Sequence, residues 1–169
     1  MSRTVSIVYH ASILAISFVC GVICFHLIGS AKAESIILFV EPRLIEDKLS
    51  ILRLVLPVVA SIAVILLLAT HSILKIFIRV TVAIRATFFG FSSVFLLQKL
   101  EAFWLYTIWW FPFQLLYCIL LLVLCNLLEP TWSQRRKAKK PPVQSLVLIF
   151  VAFFIIIVAE FIIISNVLK

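Results

Sequence analysis

Apolar residues in this chain fall in long uninterrupted runs, and the few charged residues collect between them. Residues 7–28, 54–74 and 102–125 contain no Asp, Glu, Lys or Arg, and residues 143–167 contain one, Glu160. At 1.5 Å per residue, a helix of 21 to 25 residues rises about 32–38 Å, enough to cross a hydrocarbon core of about 30 Å. Each run is expected to be a membrane-spanning helix. A further apolar stretch, residues 80–97, is interrupted by Arg85. Two readings fit it: a span in which Arg85 snorkels towards the surface, or a re-entrant element.

Local signals refine these elements. Gly21 and Gly29, near the end of the first run, permit close approach of a second helix. Pro57 is placed in the first turn of the second span, where its missing N–H is tolerated. Pro112 falls inside the fourth and is expected to kink it, because it removes a backbone donor and crowds the preceding turn. Residues 30–53 form the one long mixed segment, in which Lys32, Glu34, Glu41, Arg43, Glu46, Asp47, Lys48 and Arg53 alternate with apolar clusters. That pattern predicts a folded outer loop with short amphipathic helices at the membrane interface, divided at Pro42.

Composition removes the other classes. Of the 169 residues, 64% are hydrophobic and 13% charged, and the mean hydropathy is +1.25. Soluble domains have about 25% charged residues, so this chain has too little polar surface to be one, and far too much apolar surface to be disordered. The formal net charge of +8 would suggest nucleic acid in a soluble protein; here it reads as topogenic charge, and no nucleic-acid partner is expected. Nine Lys and Arg (Arg3, Lys75, Arg79, Arg85, Arg135, Arg136, Lys137, Lys139, Lys140) fall on one side of a five-span arrangement, and six on the other. The positive-inside rule then puts the N-terminus in the cytoplasm and the C-terminus outside. The expected architecture is an all-α membrane protein, one transmembrane domain over residues 1–169, with about five spans and an amphipathic outer loop.

Candidate chemistry is sparse. The chain has no phosphate-binding loop, zinc-binding H-E-x-x-H or nucleophile elbow, so no catalytic residue, cofactor or metal is assigned and a non-catalytic membrane subunit is favoured over an independent enzyme with a spatially assembled site. Four cysteines lie in apolar stretches and read as packing residues. Glu160 stands about 10 Å inside the last span, where a carboxylate must face protein, water or a cation. It suits either a substrate path or partner contact, or a hydrogen-bonded acid that fixes helix packing. Pro112 followed by Gln114 marks a kinked helix able to line a polar cavity. The aromatic residues from Phe103 to Phe113 read as an interfacial belt. Lys75, Arg79, Arg85, Arg135, Arg136, Lys137, Lys139 and Lys140 form the candidate cytoplasmic docking surface, or else anchor the chain to anionic lipid.

The order of these features resembles the stage II sporulation protein M family of small multi-pass bacterial membrane proteins. The likeness lies in a first span ending in Gly, an outer mixed loop, the stretch Arg85-Ala-Thr-Phe-Phe-Gly-Phe-Ser, the span around Phe111-Pro-Phe-Gln-Leu-Leu, and a last span holding Glu160. The resemblance implies a bacterial cell-membrane protein of one of two kinds. One is a membrane subunit that works with a separate cytoplasmic ATPase in maturation, export or self-immunity of a hydrophobic, circular-bacteriocin-type peptide. The other is a non-catalytic scaffold that recruits cell-wall hydrolases or other membrane partners. Assembly into homo- or hetero-oligomers is compatible with both.

Overall fold

A computed structural model describes residues 3–28, 30–41, 44, 51–71, 74–99, 103, 106–128 and 143–167. Six α-helices make up almost all of them: α1 (Arg3–Ile28), α2 (Ser30–Val40), α3 (Ile51–Thr70), α4 (Ile78–Lys99), α5 (Phe111–Leu128) and α6 (Val143–Val167). No strand occurs among the described residues. A 3-10 turn, Leu74–Phe77, leads into α4, and a π-helical turn, Tyr106–Trp110, leads into α5. Four helical stretches are long and apolar enough to cross a membrane: Val8–Ile28, Ile78–Gln98, Tyr106–Leu128 and Val143–Asn166. Leu54–Thr70 is apolar but shorter. The protein is thus an all-helical membrane protein.

The interrupted stretch around Arg85 is one continuous helix of 22 residues, about 33 Å long, which meets the length of a span rather than of a re-entrant hairpin. α4 is also the centre of the packing. Its partners can be ordered from side-chain pairs. Tyr9 meets Arg79, Phe18 meets Phe89 and Phe25 meets Phe91, so α1 runs parallel to α4. Phe111 meets Phe89, Gln114 meets Arg85 and Cys125 meets the Ile78 carbonyl, so α5 runs antiparallel to it. α6 is antiparallel to α5, with Phe153 stacked on Tyr117 and Glu160 reaching Trp109.

The α1–α4 crossing is tight because neither helix has a side chain at the contact. A Cβ on Gly21 would strike the Thr87 carbonyl oxygen, and one on Gly90 would strike that of Phe18. Backbones therefore touch, as small-residue crossings in membranes allow. Gly29 lies outside the described residues. Leu54, Val58, Ile62 and Ile65, spaced at one helical face, bring α3 against Ile78, Val82, Ala86 and Phe89 of α4 and the buried face of α5. α3 begins at Ile51, so Pro57 lies inside the helix rather than in its first turn, and Ser61 Oγ donates to the Pro57 carbonyl. Several hydroxyls in the spans make the same local bond: Ser12, Thr81, Thr87 and Ser93 donate to carbonyls four residues back, which satisfies them without a second helix.

α2 departs from an interfacial loop. Its Ala33 and Ile37 are buried with Phe25, Phe91 and Phe95 in a cluster of their own. One turn beyond Ile37 comes Glu41, which meets Arg85, six residues before Phe91. α2 therefore runs back along α4, antiparallel to it. Eleven residues rise about 16 Å, about half of a hydrocarbon core. Only one face of α2 is covered: Ala33 and Ile37 are buried, whereas Leu38 and Phe39 are exposed. Pro42, expected to divide this segment, lies outside the described residues; the helix itself ends at Val40.

Candidate functional site

Ionisable and amide side chains meet inside the bundle in two linked groups. In the first, Glu41 Oε1 lies 2.6 Å from Arg85 Nη1, and Arg85 Nη2 donates to Gln114 Oε1 at 3.0 Å. All three are buried, at 2%, 6% and 1% exposure. The group ties α2, α4 and α5 together. Arg85, placed from sequence among the docking cations, thus has its guanidinium turned into the protein.

In the second group, Glu160 of α6 is fully buried and accepts two hydrogen bonds: Trp109 Nε1 donates at 3.1 Å and the Tyr117 hydroxyl at 2.6 Å. Tyr117 lies three residues after Gln114, so the two groups share one face of α5. Trp109 precedes that helix in the π turn. The extra residue of a π turn displaces side chains on the following helix, and here the turn sits directly before Pro112, whose ring cannot follow a regular α-turn. Pro112 therefore marks the junction between the two helical forms, and Trp109 and Trp110 both turn inward there.

That inward turn alters the expected aromatic belt. Trp109 and Trp110 are buried in the core, whereas Phe103, Ile108 and Phe111 stay exposed. Trp109 supplies a hydrogen bond to Glu160 that a belt residue would not make. Its signal in the sequence was its place one turn upstream of the Pro112–Gln114 pair.

The remaining sequence candidates divide in two. Arg79 is half-buried at the start of α4 with its guanidinium 5.6 Å from the centroid of the Tyr9 ring, a cation–π contact between α4 and α1. Lys75 belongs to the 3-10 turn, and its side chain lies outside the described set. Arg135, Arg136, Lys137, Lys139 and Lys140 also lie outside the described residues. Cys118 and Cys125 are buried on α5 and Cys20 is exposed on α1; the four cysteines carry free thiols. A shallow groove on α6 along Val143, Gln144, Val147, Leu148 and Val151 is apolar and holds none of these polar pairs.

Sequence reasoning singled out Glu160, Gln114 and Arg85 but missed Glu41, Trp109 and Tyr117. Chemically, the assembled groups offer a fixed cation, two carboxylates and an amide enclosed by apolar walls. They can hold helices in register and can bind or release an anion. No known protein family matches the chain, and no curated protein or solved structure matches it.

Proposed function

We propose that the chain is a bacterial cell-membrane subunit that spans the bilayer about five times and acts through partners, working with a separate cytoplasmic ATPase in the maturation, export or self-immunity of a hydrophobic peptide. The observation that carries the reading is the segregation of polar groups. Glu41, Arg85, Gln114 and Glu160 are turned into the bundle. Leu27, Leu67, Leu148, Phe154 and Ile155 cover its outside. A polar interior within an apolar shell suits a subunit that meets its substrate in the bilayer. α1, α4 and α6 run one way and α5 the other, as any arrangement with the two termini on opposite sides requires, and the nine-to-six distribution of Lys and Arg favours N-inside, C-outside. In that arrangement residues 129–142, with Arg135, Arg136, Lys137, Lys139 and Lys140, face the cytoplasm and offer a basic patch to an acidic face of the ATPase.

The test is co-purification from membranes of the native bacterial host. A nucleotide-binding protein should come down with the chain and be lost on Arg135/Arg136/Lys137→Ala. Binding retained in that variant moves docking elsewhere, and the absence of any ATPase partner refutes the coupled reading. One observation favours a second reading, a non-transporting scaffold. Glu160 is enclosed between Trp109 and Tyr117, as an acid that fixes helix packing would be. A scaffold keeps its extracytoplasmic partners and its activity with Glu160→Gln; a peptide-handling subunit that uses this acid does not.

A further inference from the structure

The first polar group presents more hydrogen-bond donors than its acceptors use. Arg85 carries five N–H groups in a rigid fork, and the Gln114 amide nitrogen carries two more. Facing them are Glu41 on Nη1 and the Gln114 oxygen on Nη2. Gln114 Nε2 itself is buried and has no hydrogen-bond partner among the described residues, a costly state for an amide in an apolar core. It is bonded to the same carbon as the oxygen that Arg85 holds, so the unclaimed donor stands beside the guanidinium. An acceptor that reached both would satisfy it.

The way Glu41 arrives is the second observation. Its carboxylate comes from the first residue after α2, an eleven-residue helix, and not from one of the long helices. Glu41 directly follows the C-terminal end of α2, the end that carries partial negative charge. A carboxylate on a short returning helix is the element of this group most readily withdrawn. Around the group the walls are apolar: Phe89 and Phe111 pack together on the α4–α5 side, and Ile37 and Phe91 on the α2 side. A planar guanidinium with an adjacent amide donor matches a carboxylate held by two parallel hydrogen bonds.

We propose that Arg85 and Gln114 form a carboxylate-binding site inside the bundle, that Glu41 is its built-in occupant, and that the ligand is a carboxylate on an apolar chain. Binding exchanges one carboxylate for another. Glu41 leaves Arg85, the ligand takes its place, and Gln114 Nε2 gains the acceptor that it lacks. Two sources carry this chemistry, a free fatty acid and the C-terminus of a hydrophobic peptide. The site requires the chain to lie in a bilayer but not an ATPase partner, so a failed pull-down and a failed binding assay are separate outcomes.

The test uses the purified full chain in phosphatidylcholine nanodiscs, titrated with dodecanoate and with its methyl ester while tryptophan emission is recorded. Trp110, buried in the π turn four residues before Gln114, provides the signal. The acid should bind saturably and the ester should not. A built-in carboxylate that competes for Arg85 lowers the apparent affinity in proportion to its occupancy, so Glu41→Gln should tighten acid binding by at least about tenfold. Glu41→Gln/Gln114→Glu moves the carboxylate to the other side of Arg85, keeps an internal ion pair to hold the fold, and should abolish binding. Acetyl-Leu-Leu-Leu as free acid and as amide, run in parallel, separates the two sources: binding of the peptide acid in preference to dodecanoate assigns a peptide terminus, and the reverse assigns a fatty acid. Equal binding of acid and ester by the unaltered chain overturns the proposal without any variant. So does a Glu41→Gln protein that binds neither acid, or binds them no more tightly than the unaltered chain.

Discussion

Removing the Glu41 carboxylate should cost far more than breaking a surface ion pair, and its size follows from the geometry. Glu41 and Arg85 are 2% and 6% exposed, and their charged atoms approach to 2.6 Å. Two unit charges centred about 4 Å apart attract by about 4 kcal/mol at an effective dielectric of about 20. Breaking a buried pair by deleting one partner typically costs about 3–5 kcal/mol, because the other charge is left uncompensated. Glu41→Gln retains one acceptor for Arg85, which puts it near 3 kcal/mol. Arg85→Gln strands the carboxylate and also removes the donor to Gln114, so it should cost at least as much. The double variant removes both charges, and its cost should fall short of the sum by about 2 kcal/mol or more. Reversible unfolding of the purified protein in mixed micelles measures all three. Single costs below about 1 kcal/mol, as for exposed pairs, would refute the burial argument. So would additivity within about 0.5 kcal/mol, which marks sites that do not interact.

Three further outcomes follow from the packing. Gly21→Leu or Gly90→Leu should disrupt the α1–α4 crossing, since even a Cβ meets backbone there; a loss of at least about 1–3 kcal/mol in the same unfolding assay is expected, while Ala63→Leu on the exposed side of α3 should be nearly neutral. Tyr117→Phe should cost about 1 kcal/mol by removing one hydrogen bond to Glu160, and in combination with Trp109→Phe should destabilise Glu160-containing protein more than Glu160→Leu protein. Arg79→Gln should weaken α1 docking by about 0.5–1 kcal/mol through the lost contact with Tyr9, read as earlier cleavage of α1 in limited proteolysis.

The helices were legible in the sequence because bilayer thickness fixes their length, and an apolar run of sufficient length in an otherwise charge-poor chain has few alternatives. Glu160 and Gln114 were legible as anomalies: a carboxylate and an amide inside apolar runs must be satisfied by something. Gly21 was legible as a close-approach residue, although its partner Gly90 was not paired with it. What meets what was not legible. Helical spacing tells which residues share a face, but α4, α5 and α6 are apolar nearly all round, so polarity contrast does not say which face turns inward. The Glu41–Arg85 pair joins residues 44 positions apart in sequence, on elements whose charges read equally well as an interfacial loop and a cytoplasmic boundary. Trp109 had the composition of a belt residue, and nothing in the sequence marked the π turn before Pro112 in which it is buried.

The return of α2 into the bundle is the feature on which the polar core depends, and cysteine accessibility tests it directly. In a background where Cys20, Cys24, Cys118 and Cys125 are replaced by Ala, single cysteines are placed at Lys32 and at Ile37 and treated with a membrane-impermeant maleimide on intact spheroplasts. Lys32 is exposed at the start of α2 and Ile37 is 1% exposed between α1 and α4. Labelling at 32 with none at 37, until detergent and denaturant open the bundle, is the expected result. Equal labelling at both positions on intact spheroplasts would contradict it, because α2 would then lie on the surface and could not carry Glu41 to Arg85.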